Sequence, residues 1–212
     1  MPMISSNRRI QITLGLIAVL MAGLASAAPT APQGIDMPSK APTLKAPVAV
    51  TTIGQAPSAM MVRLLLQKAK IQVVQKDLLT PQDIAEAAKN PNAAFKTLIM
   101  TMGTSLKGMG GAGVNVDSEV TRCNALVAEA KKHGIVVVGV QIEGAARRSD
   151  ESDEKSIRAV APQSDVLIIR REVDNDNYFT NMAKKNGVPI IRAKEAADFG
   201  YVFGTLFGSP AK

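Results

Sequence analysis

From Val48 to Phe207 the chain alternates short Val- and Ile-rich runs with longer amphipathic stretches, and that alternation limits the possible folds more than any other feature. The runs are VAVTTI (48–53), IQVVQ (71–75), KTLIMTM (96–102), IVVVGVQI (135–142), DVLIIRR (165–171) and VPIIR (188–192). Most lack the apolar–polar alternation of a half-exposed strand, which suits strands covered on both faces. Helix signals lie between them. Pro57 fits the first turn of a helix running through MMVRLLLQKAK. Thr80-Pro81-Gln82-Asp83 reads as a capping arrangement. Asp117-Ser118 opens a helix that closes on Lys131-Lys132-His133-Gly134, and Lys184-Lys185-Asn186-Gly187 repeats that ending. A last helix over Ala196 to Phe207 carries Phe199, Tyr201, Phe203 and Phe207. Strands joined by connections of helical length predict a three-layer, doubly wound α/β fold, flavodoxin-like or Rossmann-like, with a mostly parallel sheet of about six strands. A closed eight-stranded barrel would need more chain.

The first 47 residues follow other rules. Arg8-Arg9, the apolar run from Ile12 to Leu24 and the small residues Ala25-Ser26-Ala27 give 1–27 the form of a secretory signal peptide. The run is too short for a comfortable span of about 20 residues, so no stable membrane segment is expected after cleavage. Residues 28–47, with prolines at 29, 32, 38, 42 and 47, read as a flexible linker, leaving 48–208 as a single α/β domain. An exported protein, periplasmic or extracellular, follows. Its one cysteine, Cys123, rules out an internal disulfide and falls on an apolar helix face, as a buried thiol would. The formal charge of +7 falls to +5 without Arg8 and Arg9, is spread along the chain, and goes with only 3% aromatic residues. Nucleic-acid binding is therefore not expected.

In an open parallel sheet, ligands bind beyond the carboxyl ends of the strands where the strand order reverses. For the order 2-1-3-4-5 that point lies between the first and third strands. The first loop offers Gly54, Gln55 and Ser58. The second, 103–113, holds five glycines in eleven residues; Ser105, Lys107, Gly108, Gly110, Gly111 and Gly113 suggest a cradle of exposed N–H groups. Gly108-x-Gly110-x-x-Gly113 matches a dinucleotide fingerprint, but Val114-Asn115-Val116 separate it from the next helix, the acid expected about 20 residues on would fall inside that helix, and Glu143 is too far along. No cofactor can be named. Arg147, Arg148 and Arg170 bring cations to the same edge, suited to a carboxylate or phosphate, and Glu143 is a candidate general base.

His133 is the only histidine and closes a helix at the opposite edge, which removes Ser-His-Asp and Cys-His chemistry and histidine-based zinc sites. Asp174-Asn175-Asp176-Asn177 starts like a calcium loop but lacks its glycine, so helix capping is the better reading and no metal site is assigned. Met60-Met61 and Met100/Met102 read as core.

Three motifs, Thr52-x-Gly54-Gln55-x-Pro57, the segment Lys107 to Gly113, and Glu143-Gly144-Ala145-Ala146-Arg147-Arg148 with Ser152-Asp153, give most of 48–207 a resemblance. The chain resembles an uncharacterised, secreted bacterial family of unknown function. That resemblance implies export and an α/β fold and supplies no activity. The leading expectation is a binding module for a small anionic molecule. An enzyme using Glu143 as base, with Lys107 and an arginine as electrophilic stabilisers, is the second. A non-catalytic protein partner in an envelope complex is the third.

Overall fold

The computed structural model describes residues 32–209; the signal peptide expected over 1–27 lies outside them. The elements in chain order are β1 (Ile35–Asp36), β2 (Val48–Thr52), α1 (Ser58–Lys68), β3 (Val73–Gln75), α2 (Pro81–Ala88), β4 (Thr97–Thr101), α3 (Leu106–Ala112), α4 (Val116–Lys132), β5 (Val136–Gln141), α5 (Glu151–Val160), β6 (Val166–Arg170), α6 (Tyr178–Asn186), β7 (Ile190–Ala193) and α7 (Phe199–Leu206). They form one sheet in the order β1-β7-β6-β5-β4-β2-β3. The six strands from β2 to β7 are parallel, and β1 alone runs antiparallel, against β7. The fold is the expected doubly wound α/β arrangement, with seven strands where about six were expected.

The extra strand comes from the segment read as a linker. Ile35 and Asp36 pair with Ala193 and Arg192, and Leu44 is buried with its N–H donating to Leu206 O at 2.8 Å. From residue 32 onward this segment is packed on the domain. Proline lacks a ladder donor, so it suits an outer strand and the turns around it, while Ile35 and Leu44 supply the apolar contacts.

Register stacks the core in layers. Val50, Ile99, Val138 and Val166 lie abreast across four strands. Their face is covered by α1 and α7 through Val62, Leu66, Phe199 and Phe203. On the opposite face Ala49, Leu98, Val137 and Leu167 meet Ile84, Leu126, Ile157 and Phe179 of α2, α4, α5 and α6. Each fully buried phenylalanine contributes about 1.5–3 kcal/mol through burial. Met100 and Met102 are core, as read, but Met60 on α1 is 48% exposed. Cys123 is buried against α4's neighbours.

Local signals set the helix ends. Thr80 and Asp83 form a reciprocal capping box on α2. α4 begins earlier than Asp117-Ser118 suggested: Asn115 is the cap, accepting from Ser118 N, and Ser118 Oγ accepts from Asn115 N. Asp174 caps α6 by accepting from Phe179 N and Thr180 N. Among the described residues no helix is long and apolar enough to cross a membrane.

Candidate functional site

Strand order reverses between β2 and β4, where the sequence places it, but the chain itself fills the crevice there. Gln55 and Thr104 form an antiparallel bridge, and Ser105 N donates to Gly54 O at 2.7 Å. Gly54 sits at φ +99, and a Cβ on it would stand 2.5 Å from Thr104 Cγ2, so glycine is required for the two loops to meet. Ser58 is buried, donating to Thr101 Oγ1 at 2.9 Å.

A buried ion pair locks this junction. Glu119 of α4 is 1% exposed and Arg122, one turn on, 13%. Glu119 accepts from Gly54 N, from Gln55 Nε2 at 2.7 Å, and from Arg122 Nε at 2.8 Å. Arg122 also donates to Thr52 O at 2.6 Å and Leu79 O at 3.0 Å. Burial pushes the Glu119 carboxyl up, but its donors Arg122, Gly54 and Gln55 outweigh that and hold it below its ordinary value. Gln55 therefore faces the protein's own carboxylate.

The glycine-rich segment is the largest correction. Residues 106–112 form a helix, α3, in place of a loop cradling N–H groups. Ser105 is its cap, accepting from Gly108 N at 3.1 Å, and Gly113 closes it in the left-handed conformation. Tertiary contact overrides poor helix propensity: Met109 is buried, and Gly108 lies so close to Gln55 that a Cβ would be 2.2 Å from its carbonyl oxygen. Gly110 and Gly111 face open space. Lys107 is exposed at the start of α3.

One strand over, Asp153 of α5 organises the β4 and β5 loops. Its carboxylate accepts from Thr104 N at 2.8 Å, Thr104 Oγ1 at 2.9 Å and Ser149 N at 3.1 Å. Gln141 clamps Gly144 in both directions, N–H to Oε1 at 3.0 Å and Nε2 to carbonyl at 2.9 Å. The following 3-10 turn, Gly144–Arg147, places Arg147 across Thr104. Its Nη1 donates to Thr104 O at 2.7 Å and its Nε to Glu143 Oε2 at 3.1 Å, while Nη2 makes no hydrogen bond among the described residues. Glu143 Oε1 is buried with no donor among the described residues.

Arg148 points elsewhere. It donates to Glu154 at 2.7 Å, to both oxygens of Asp176 at 2.8 and 2.7 Å, and to Val173 O, and lies over the Phe179 ring at 5.3 Å. All three of its nitrogens, and four of its five N–H donors, are engaged within the fold. The Arg148 hydrogen bonds hold Asp176 below its ordinary value. A cavity of about 330 Å³ beside it adds Glu154 and Glu172 to its lining. Three carboxylates around one arginine already paired with two of them oppose an anion there. Arg170 lies between Glu172 at 3.3 Å and Glu195 at 3.7 Å, with a buried Nε lacking an acceptor. Arg171 turns outward to Asp36.

Of the twelve candidate binding residues, Gly54, Gln55, Ser58, Ser105 and Gly108 build the junction, and Arg148 braces α5 and α6. Arg147 remains at the surface beside Thr104, Lys107 is exposed in the first turn of α3, and Arg170 lies farther along the edge. Sequence reasoning missed Glu119 and Arg122; their i, i+3 spacing was the available signal. Burial was not visible in it.

The chain belongs to the family described as Domain of unknown function (DUF6305), whose model matches residues 45–207. No curated protein matches it in sequence. Among solved structures it is similar to a GDSL-like lipase from Bacteroides thetaiotaomicron, with 11% identity, TM-score 0.34, and coverage of 68% of this chain and 66% of that one. The esterase EstA from a Pseudoalteromonas species gives 9% identity, TM-score 0.32, and 68% and 76% coverage. A carbohydrate kinase from Agrobacterium tumefaciens gives 12%, 0.32, and 69% and 52%. The match thus spans just under two thirds of the lipase and about half of the kinase.

Proposed function

We propose that this family member is an exported binding module that takes a small anionic molecule at the carboxyl edge of its sheet, over the β4 and β5 loops. Arg147 is the principal contact and Lys107 the second. The observation that carries this reading is the state of Arg147. Glu143 and the Thr104 carbonyl fix its guanidinium, and Nη2 has no partner among the described residues. A fixed donor of this kind loses little conformational freedom when it meets a carboxylate or phosphate. Asp153, Gln141 and the Glu119–Arg122 pair supply the rigid support such a contact needs.

A second reading, an enzyme with Glu143 as general base, is supported by the buried Oε1 that has no donor among the described residues. Loss of turnover in Glu143→Gln with binding intact would favour it.

A thermal-shift screen of the full chain against phosphates, sugar phosphates, di- and tricarboxylates, nucleotides and acidic amino acids tests the proposal. A ligand at 100 times its Kd adds about 2.7 kcal/mol, which raises the Tm of a domain this size by about 5–10 °C. The rise should vanish in Arg147→Ala, diminish in Lys107→Ala, and persist in Arg148→Ala, whose starting Tm is lower. No rise across the panel, or one unchanged in Arg147→Ala, overturns the proposal.

A further inference from the structure

The carboxyl edge is not the only concave surface. Between α1 and α7 runs a cavity of about 500 Å³, within the usual range for small-molecule sites of roughly 300–1,000 Å³. Its floor is made by Leu65 on α1 with Ala69 just past the helix end, and by Gly200 and Gly204, one helical turn apart on α7. The two glycines remove side chains from one face of α7 and leave a trough along the helix. A Cβ on Gly200 would stand 3.5 Å from Leu65 Cδ2, so even a methyl group would begin to fill it.

Charge in this trough is polarised. Lys68 and Lys70 stand where α1 ends, both exposed. Neither pairs with a carboxylate among the described residues, unlike Lys76, Lys89, Lys132 and Lys155. The carboxylate in the lining, Asp198, lies before α7 and caps its approach by accepting from Glu195 N at 2.8 Å. Both helices run from the carboxyl to the amino edge of the sheet, so the lysines and Asp198 mark opposite ends. An apolar trough whose lysines at one end pair with no carboxylate among the described residues, and whose acid lies at the other end, complements a linear molecule with its anionic terminus on the lysines. It does not suit a compact polar ligand.

We propose that the α1–α7 trough binds a single-chain anionic amphiphile, its hydrocarbon chain on Leu65, Ala69, Gly200 and Gly204 and its carboxylate on Lys68 and Lys70. This site is separate from the carboxyl edge and does not depend on the anion proposed there.

Calorimetric titration of the full chain with dodecanoate and with dodecyltrimethylammonium, both below micelle formation, tests it. Dodecanoate should bind and the ammonium amphiphile should bind about tenfold more weakly or not at all. Lys68→Glu/Lys70→Glu should invert that preference. Gly200→Leu and, separately, Ala69→Leu should block dodecanoate while retaining the wild-type circular-dichroism spectrum; having two filling variants guards against one of them misfolding. Equal binding of the two amphiphiles, absence of dodecanoate binding, or affinity unchanged in the filling variants each overturns the proposal. So does a dimer buried on this face that dodecanoate fails to dissociate.

Discussion

Replacing Glu119 by Gln keeps the shape of the side chain and removes the charge that Arg122 was placed to meet. Arg122 is 13% exposed and holds Thr52 O and Leu79 O through its other nitrogens, so it cannot leave for solvent without breaking those contacts. An uncompensated buried charge typically costs about 3–5 kcal/mol. For a domain this size that is a Tm lower by about 10 °C, or a urea midpoint lower by about 2 M if the m-value is near 2 kcal/mol per M. The m-value itself should not change. Replacing both partners with apolar residues, Glu119→Leu with Arg122→Met, strands neither charge but takes their side-chain partners from Gly54 N and the Thr52 and Leu79 carbonyls, so it should recover only part of the loss. The pH dependence has a definite sign. The folded-state pKa lies below the unfolded one, so the stabilisation is complete above the unfolded value of about 4.3 and disappears as pH falls through the depressed folded value. Wild type should therefore lose more stability than Glu119→Gln on acidification below about pH 4. A loss of less than about 1 kcal/mol in Glu119→Gln at neutral pH would refute the reasoning, placing the pair among weak surface interactions.

The glycines of α3 should divide sharply in the same urea assay. Gly108→Ala drives a Cβ into the Gln55 carbonyl and should destabilise by about 1–3 kcal/mol. Gly110→Ala and Gly111→Ala face open space and should each stabilise by about 0.5–1 kcal/mol; equal effects at all three positions would contradict the packing described. Burial pushes the Cys123 thiol up to about 12, so an aromatic disulfide reagent at pH 8 should label it only as fast as the domain opens. Reaction at a free-thiol rate in the native protein would show that α4 does not bury it.

Much of the fold was legible because its signals are local. The Thr80–Asp83 box, the lysine-rich helix ends and the unbroken Val/Ile runs each act over a few residues, and together they fix a parallel sheet and its point of reversal. The site was less legible because its geometry depends on contacts between distant segments. Glycine at 108, 110 and 111 argues for a loop by propensity. The helix exists because Ser105 and Gly113 cap it and Met109 and Gly108 pack beneath it. Arg147 and Arg148 are neighbours with the same chemistry, yet one reaches Thr104 and the other Asp176. Ile35 and Leu44 were too sparse among prolines to signal burial, since their partners lie at the far end of the chain.

That last pairing bears on the order of assembly. Ile35 joins the sheet against Ala193, so a chain synthesised from its N-terminus holds this strand unmatched until residue 193 has emerged. The long loop it closes makes the contact slow to form. A two-residue strand with prolines on either side is a poor template for mispairing during that interval. The β1 edge should thus be the last part of the sheet to set.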